Sequence, residues 1–536
     1  MKKLVSRFMA VLMAMVMILS MSMTAFAEVA LKGTLTVNNT VEGKTLDLYQ
    51  IFTATKSGDN VAYTLNSAYE GFFQSKISGA SALTGEALSE KAYAYVKDQV
   101  GRDGSNGAAF AKDIMGWILN NATAVDATHT TAHTTAGNTV INNLDYGYYV
   151  VYPLGATDTS TAPGNETVKS VASLVSVTDT TVSINMKSNY PTVVKKVNDK
   201  NADDVNIGDE VTYTLTSKVP DMTGYTSYVF NFKDTLSTGL TFKGITSVTV
   251  GSGENVQNVT AGTGDNTYTL TQYGQDITIT MNNFLASNAN KAGQEIKVTY
   301  TATLNKDAVT GFDPNTNKAT VEYSNKPGTD DKGESEPSKV DVHTFDFTIF
   351  KYYLKDATKT GLANAEFELY KANTTGDAAD TNAKINIVDE GEGVYRQATA
   401  DEAKAIDFTS AKIVSDTDGK VLVKGLDAGI YYLRETKAPE GYNKLLSDIK
   451  VEIIATYGED GKLASYKVDY TYNGKTTNGT AITDKDNHPE VAVENKTGVQ
   501  LPSTGSKGAL MVTLAGIVLF GALTASKAFG KKKAKN

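Results

Sequence analysis

Over much of its length this chain alternates apolar and polar side chains with a period of two. The plainest stretches are Glu210 to Thr216, Asp276 to Met281 and Glu295 to Leu304. Successive side chains of an extended strand point to opposite faces, so this alternation predicts strands with one buried and one wet face. Thr, Val, Tyr and Ile are abundant, and clusters of Gly, Asn and Asp separate the stretches as turns would. Convincing helical spacing occurs near Gly85–Val100 and Ala108–Asn120. The pattern predicts a mostly β protein of tandem Ig-like β-sandwiches, the first with some helix. Three units are expected, at 28–187, 188–342 and 343–500.

Two apolar runs do not alternate, and they lie at the ends. Lys2, Lys3 and Arg7 precede a Met-rich run from Phe8 to about Met23, and Ala25-Phe26-Ala27 follows. That order is a secretory signal peptide over 1–27, with Glu28 as the expected first mature residue. Near the other end, an apolar run from Gly508 to about Ala525 is just long enough to span a bilayer as a helix. Lys531, Lys532, Lys533 and Lys535 behind it would stay cytoplasmic, leaving the body outside.

Charge and composition narrow the class. The 536 residues carry a net charge of −9. Setting aside three positive charges in the leader and six behind Gly505 leaves the body near −18, which argues against nucleic acid or anionic lipid as partners. There is no cysteine, so neither disulfides nor a cysteine thioester can brace the chain. His129 and His133 are four apart but sit in a Thr/Ala-rich segment that reads as a solvated loop, and no metal site or cofactor is expected. No Ser/His/Asp constellation stands out, so an enzyme is the class least supported.

Leu501-Pro502-Ser503-Thr504-Gly505, the apolar span and the basic tail together resemble the cell-wall sorting signal of Gram-positive surface proteins. In that family a sortase cuts between Thr and Gly, here Thr504 and Gly505, and passes the Thr carbonyl to an amine. The third unit carries Tyr431-Tyr432-Leu433-Arg434-Glu435-Thr436-Lys437-Ala438-Pro439-Glu440-Gly441-Tyr442, which resembles the E-box of sortase-assembled pilins and of the B-type (CnaB) repeat of collagen adhesins. The unit opens with Phe347-Thr348-Ile349-Phe350-Lys351 and closes with Val491-Ala492-Val493-Glu494-Asn495-Lys496, again like that family. The resemblance implies an intramolecular isopeptide bond between Lys351 and Asn495, assisted by Glu435. Such a bond is physically reasonable. Burial favours the neutral forms of an amine and of a carboxyl. Folding then holds amine and carboxamide in contact, and a nearby acid polarises the carbonyl.

The second unit resembles the A-type (CnaA) domain of the same family, through Asn317-Lys318-Ala319-Thr320-Val321-Glu322-Tyr323 as its closing strand. Pro191 to Val197 alternates so that Lys195 shares a face with Val193 and Val197, and Lys196 points the opposite way. The assignment is therefore Lys195 to Asn317, with Asp234, ahead of a strand, as the acid. The first unit departs from the pattern. Gly33 to Asn39 has no Lys at the corresponding place, and Leu144 to Val151 lacks the matching Glu. No cross-link is expected there, and its tyrosines read as structural core.

Backbone pilins carry an exposed Lys at the junction of their first two domains. Here Val182-Ser183-Ile184-Asn185-Met186-Lys187 occupies that place, making Lys187 the inter-subunit acceptor and Lys196 the second choice. The chain thus resembles a major, shaft-forming pilin, secreted and displayed on the cell wall. The resemblance implies a class C sortase that joins Thr504 to Lys187 of the next copy, and a housekeeping sortase that attaches the fibre to peptidoglycan. It also allows minor pilins as further partners. The alternative is a monomeric wall-anchored adhesin that binds host matrix or glycans, with the same sorting signal and cross-linked units.

Overall fold

The computed structural model describes residues 31–101, 107–121, 125–157, 171–186 and 189–498. The leader, the sorting motif Leu501–Gly505, the C-terminal apolar run with its basic tail, and Lys187 lie outside them. Among the described residues no helix is long and apolar enough to cross a membrane. The chain is mostly β, as its alternation requires, and divides into two compact units. One comprises Met1–Asp203, Glu210–Thr303 and Asn315–Val342; the other comprises Asp204–Asp209, Leu304–Pro314 and His343–Asn536.

In the first compact unit the opening strand Lys32–Thr40 lies between Gly137–Asp145, antiparallel, and Thr181–Asn185, parallel. A second sheet is built on Leu46–Ser57 and Gly147–Pro153. Leu46 to Phe52 is buried at every position, not at alternate ones. The reason is a third layer: Leu46 and Leu48 face the opening strand's core, whereas Tyr49, Ile51 and Phe52 pack against helices. Those helices are Gly85–Val100, Gly107–Asn120 and the short Glu70–Lys76, which the alternation did not announce. His129–Thr131 is not a loop as expected but a short strand pairing with Leu46–Leu48, because the edge of that strand is otherwise open.

The same compact unit holds a sandwich of two further sheets. One contains Val194–Val197, Glu210–Lys218 and Glu295–Leu304 in adjacent places. The other contains Phe230–Leu236 between Asp276–Met281 and Asn315–Ser324. Asp234 lies within the Phe230–Leu236 strand rather than ahead of one.

The second compact unit is another sandwich. Its first sheet sets the strand Phe345–Lys355 between Lys420–Leu426, antiparallel, and the closing strand Glu490–Glu494, parallel. The facing sheet runs through Glu366–Ala372, Gly429–Lys437, Ile449–Tyr457 and Leu463–Tyr472. Phe345, Phe347, Ile349, Phe367, Leu369, Leu433 and Val451 form a fully buried core between them.

Candidate cross-linking sites

The strand Phe345–Lys355 turns Phe345, Phe347, Ile349 and then Lys351 inward, all fully buried. Its period-two register leaves the lysine no route to water. The parallel closing strand pairs Lys351 with Val493, so Asn495, just beyond the strand, arrives beside the lysine. The Asn495 N–H donates to Tyr352 O at 2.9 Å and holds the residue there. Glu435 comes from the facing sheet, where Tyr431, Leu433 and Glu435 share the inward face. Its Oε1 is 3.0 Å from Lys351 Nζ and accepts from Asn495 Nδ2 at 3.0 Å. Its Oε2 accepts from Leu445 N at 2.7 Å, which fixes the carboxylate. Lys351 Nζ contacts Asn495 Oδ1 directly. Burial drives the Lys351 ammonium down to a pKa of about 8, against the opposing pull of Glu435. A free amine is therefore accessible near neutral pH, in contact with a carboxamide and a shared acid.

The second site lies between two sheets of the first compact unit. Val193, Lys195 and Val197 point inward, while Val194 is exposed and Lys196 Nζ reaches out to Asn201 Oδ1 at 2.5 Å. Lys195 Nζ meets Asp234 Oδ2, both side chains fully buried. Asn317 sits on the strand next to Asp234's, with Leu236 as its register partner. Lys233, beside Asp234, faces the other way and pairs with Glu322 at 2.6 Å. Burial lowers the Lys195 pKa to about 8, with Asp234 pulling the other way. A group that the sequence reading passed over completes the site. The Tyr300 hydroxyl accepts from Lys195 Nζ and from Asn317 Nδ2 and donates to Asp234 Oδ2, each at 2.7 Å. Alternation along Glu295–Leu304 does put Tyr300 on the inward face, but a buried tyrosine on a strand reads first as packing. Tyr213 stacks on Tyr300 with ring centroids 5.2 Å apart.

Within 28–187 no described lysine is buried. Lys32, at the start of the opening strand, pairs with Asp145 at 2.6 Å on the exposed surface. Tyr146, Tyr149 and Tyr152 are core side chains, and the Tyr149 hydroxyl donates to Asp145 O at 2.6 Å. Among the described residues no group of His, Asp and Glu is placed to hold a metal ion.

Two stretches of the chain match models of known domain families. Residues 207–327 match the Gram-positive pilin backbone subunit 2, Cna-B-like domain, and residues 349–467 match the SpaA prealbumin-like fold domain. The trypsin-resistant surface T6 protein of Streptococcus pyogenes serotype M6 is 25% identical across 57% of this chain and 52% of its own length. The matched stretch thus spans about half of that relative. Among solved structures, the T6 backbone pilin of the same organism is 17% identical, covering 87% of this chain and 99% of that one, with a TM-score of 0.44. The group B streptococcus pilus 2b backbone protein is 26% identical over 58% of this chain and 99% of its own, with a TM-score of 0.41.

Proposed function

We propose that this chain, which carries the domains of Gram-positive backbone pilins, is the shaft subunit of a covalently polymerised pilus braced by two internal Lys–Asn isopeptide bonds. The observation that carries this reading is the third unit's triad, in which one buried carboxylate oxygen lies 3.0 Å from both the amine and the carboxamide nitrogen. The neutral Lys351 amine attacks Asn495 Cγ. Glu435 takes a proton from the amine and delivers it to Nδ2, and ammonia leaves. The site needs no enzyme, because folding has already brought the reactants together. Lys195 is joined to Asn317 with loss of ammonia in the same way, with Asp234 as the base that faces the amine. A pilin sortase then joins Thr504 to Lys187 of the next copy, with Lys196 as the second candidate, and a housekeeping sortase fixes the base to peptidoglycan.

The test is the intact mass of the chain expressed without any sortase. Two ammonia molecules should be missing from the sequence mass, and peptide mapping should find Lys195 joined to Asn317 and Lys351 to Asn495. A full, unmodified mass would remove the cross-linked shaft.

A further inference from the structure

The two sites differ in how acid and carboxamide meet. In the third unit Glu435 Oε1 bridges Lys351 Nζ and Asn495 Nδ2 alone, at 3.0 Å to each. Asp234 is one methylene shorter. Its Oδ2 contacts Lys195 Nζ and the Tyr300 hydroxyl, and it is this hydroxyl that Asn317 Nδ2 meets, at 2.7 Å. We propose that Tyr300 is a catalytic residue of the second cross-link, relaying to Asn317 Nδ2 the proton that Asp234 takes from Lys195. The inference rests on the cross-linking reading above and deepens it: aspartate plus tyrosine do here what a single glutamate does in the third unit.

The contacts form an unbroken chain from nucleophile to leaving group: Lys195 Nζ, Asp234 Oδ2, Tyr300 Oη, Asn317 Nδ2. Before reaction the amide nitrogen has no basic lone pair, so it donates to Tyr300 Oη. When the neutral amine bonds to Asn317 Cγ, the carbonyl π electrons move to Oδ1 and Nδ2 becomes tetrahedral and basic. Nζ gives one proton to Asp234 Oδ2. That proton passes to Tyr300 Oη as Oη–H is transferred to Nδ2. The oxyanion collapses, the Cγ–Nδ2 bond breaks, and ammonia departs. Asp234 ends as carboxylate and Tyr300 as phenol, both as they began. Burial pushes the Tyr300 phenol well above its ordinary pKa, so it holds its proton until Nδ2 requires it. Two buried oxygens, Asp234 Oδ1 and Asn317 Oδ1, make no hydrogen bond among the described residues, so no second described partner on these oxygens competes with the relay.

The experiment follows cross-linking in the whole chain, expressed without sortase and sampled by mass from induction onward. Wild type should lose two ammonia molecules. Tyr300→Phe keeps the ring and its packing and should form the second unit's bond about a hundredfold more slowly, with the third unit's bond unaffected. The double variant Tyr300→Phe with Asp234→Glu should recover much of the rate, because the longer carboxylate reaches Nδ2 itself. The third unit's bond, which still forms, reports that its own unit has folded, and wild-type resistance of residues 189–342 to limited proteolysis reports the same of the unit that was changed. Tyr300→Phe losing both ammonia molecules at the wild-type rate would overturn the relay and leave the cross-linked shaft standing. A double variant no faster than Tyr300→Phe would overturn the idea that tyrosine makes up for the methylene that aspartate lacks. A wild type that loses neither ammonia would remove both readings together.

Discussion

Lys195 and Lys351 are the two buried lysines among the described residues, and each faces one buried acid. A buried ammonium costs several kcal/mol of desolvation, and an ion pair recovers that only with good geometry. The proposed conversion to a neutral amide would remove that cost, which an ordinary ion pair would not. A third buried acid behaves differently. Asp346 is fully buried, with Oδ1 accepting from the Tyr466 hydroxyl and from His488 Nδ1, each at 2.9 Å. Thr310 Oγ1 donates to its Oδ2 at 3.0 Å. The hydrogen bond to Asp346 raises the His488 pKa, so the folded chain holds the imidazolium proton more tightly than the unfolded chain. The stabilisation is therefore complete below the unfolded histidine pKa of about 6.5 and is lost as pH rises through the raised folded value. His488→Gln should lower the melting temperature more at about pH 5.5 than at about pH 8.5. Equal differences at the two pH values would rule the pair out as a pH-dependent contributor.

At the scale of the strand, the opening and closing strands of the third unit run parallel and adjacent, with Lys351 opposite Val493. Hydrogen bonds between parallel strands are individually weak and can be broken by tension along the strands; a covalent bond between the same strands holds. The proposed link joins residues 144 positions apart and so closes a very long loop. Loop-closure entropy alone then favours the native state by about 5 kcal/mol. Asn495→Ala leaves the Lys351–Glu435 pair intact but removes the carboxamide. It should retain one ammonia of mass and unfold at a markedly lower temperature, with about 5 kcal/mol less stability. A variant that melts with wild type would show that the link does not brace the fold. Glycine matters at one turn here. Gly419 has φ +76°, and a Cβ on it would lie 2.1 Å from Lys351 O, so the strand that carries the lysine can pass this turn only because no side chain is there.

For the whole molecule the question is whether subunits join. Both proposed internal bonds form within one chain, whereas the fibre needs Thr504 of one copy and a lysine of the next. With its pilin sortase, wild type should give a high-molecular-weight ladder resistant to boiling in detergent. Lys187→Ala should abolish the ladder while leaving both internal mass losses in place. A ladder lost in Lys196→Ala and kept in Lys187→Ala would move the acceptor to Lys196. No ladder in wild type would favour the monomeric adhesin. The body's charge near −18 suits a surface bathed in water and ions rather than a polyanion-binding one.

Much of the architecture follows from sequence because strand alternation is a local rule. It identified the strands Asp276–Met281 and Glu295–Leu304 and put Lys195 inward and Lys196 outward, while helical spacing, equally local, marked the two long helices. The alternation rule fails for Leu46 to Phe52, where a third layer buries both faces, and for the short helix Glu70–Lys76, which is too brief for a periodic signal. What period two cannot supply is the partner across the sandwich. Lys195, Asp234, Tyr300 and Asn317 lie on four strands of two facing sheets, and only the packing of those sheets brings them within hydrogen-bond reach. The gap that Tyr300 fills, because aspartate is one methylene short, is a distance between sheets. In strands with one wet face the sequence alone determined which side chains point inward, since that depends on each strand's own geometry. The tertiary structure decided which of them meet, since that depends on how two sheets far apart in the chain come to lie face to face.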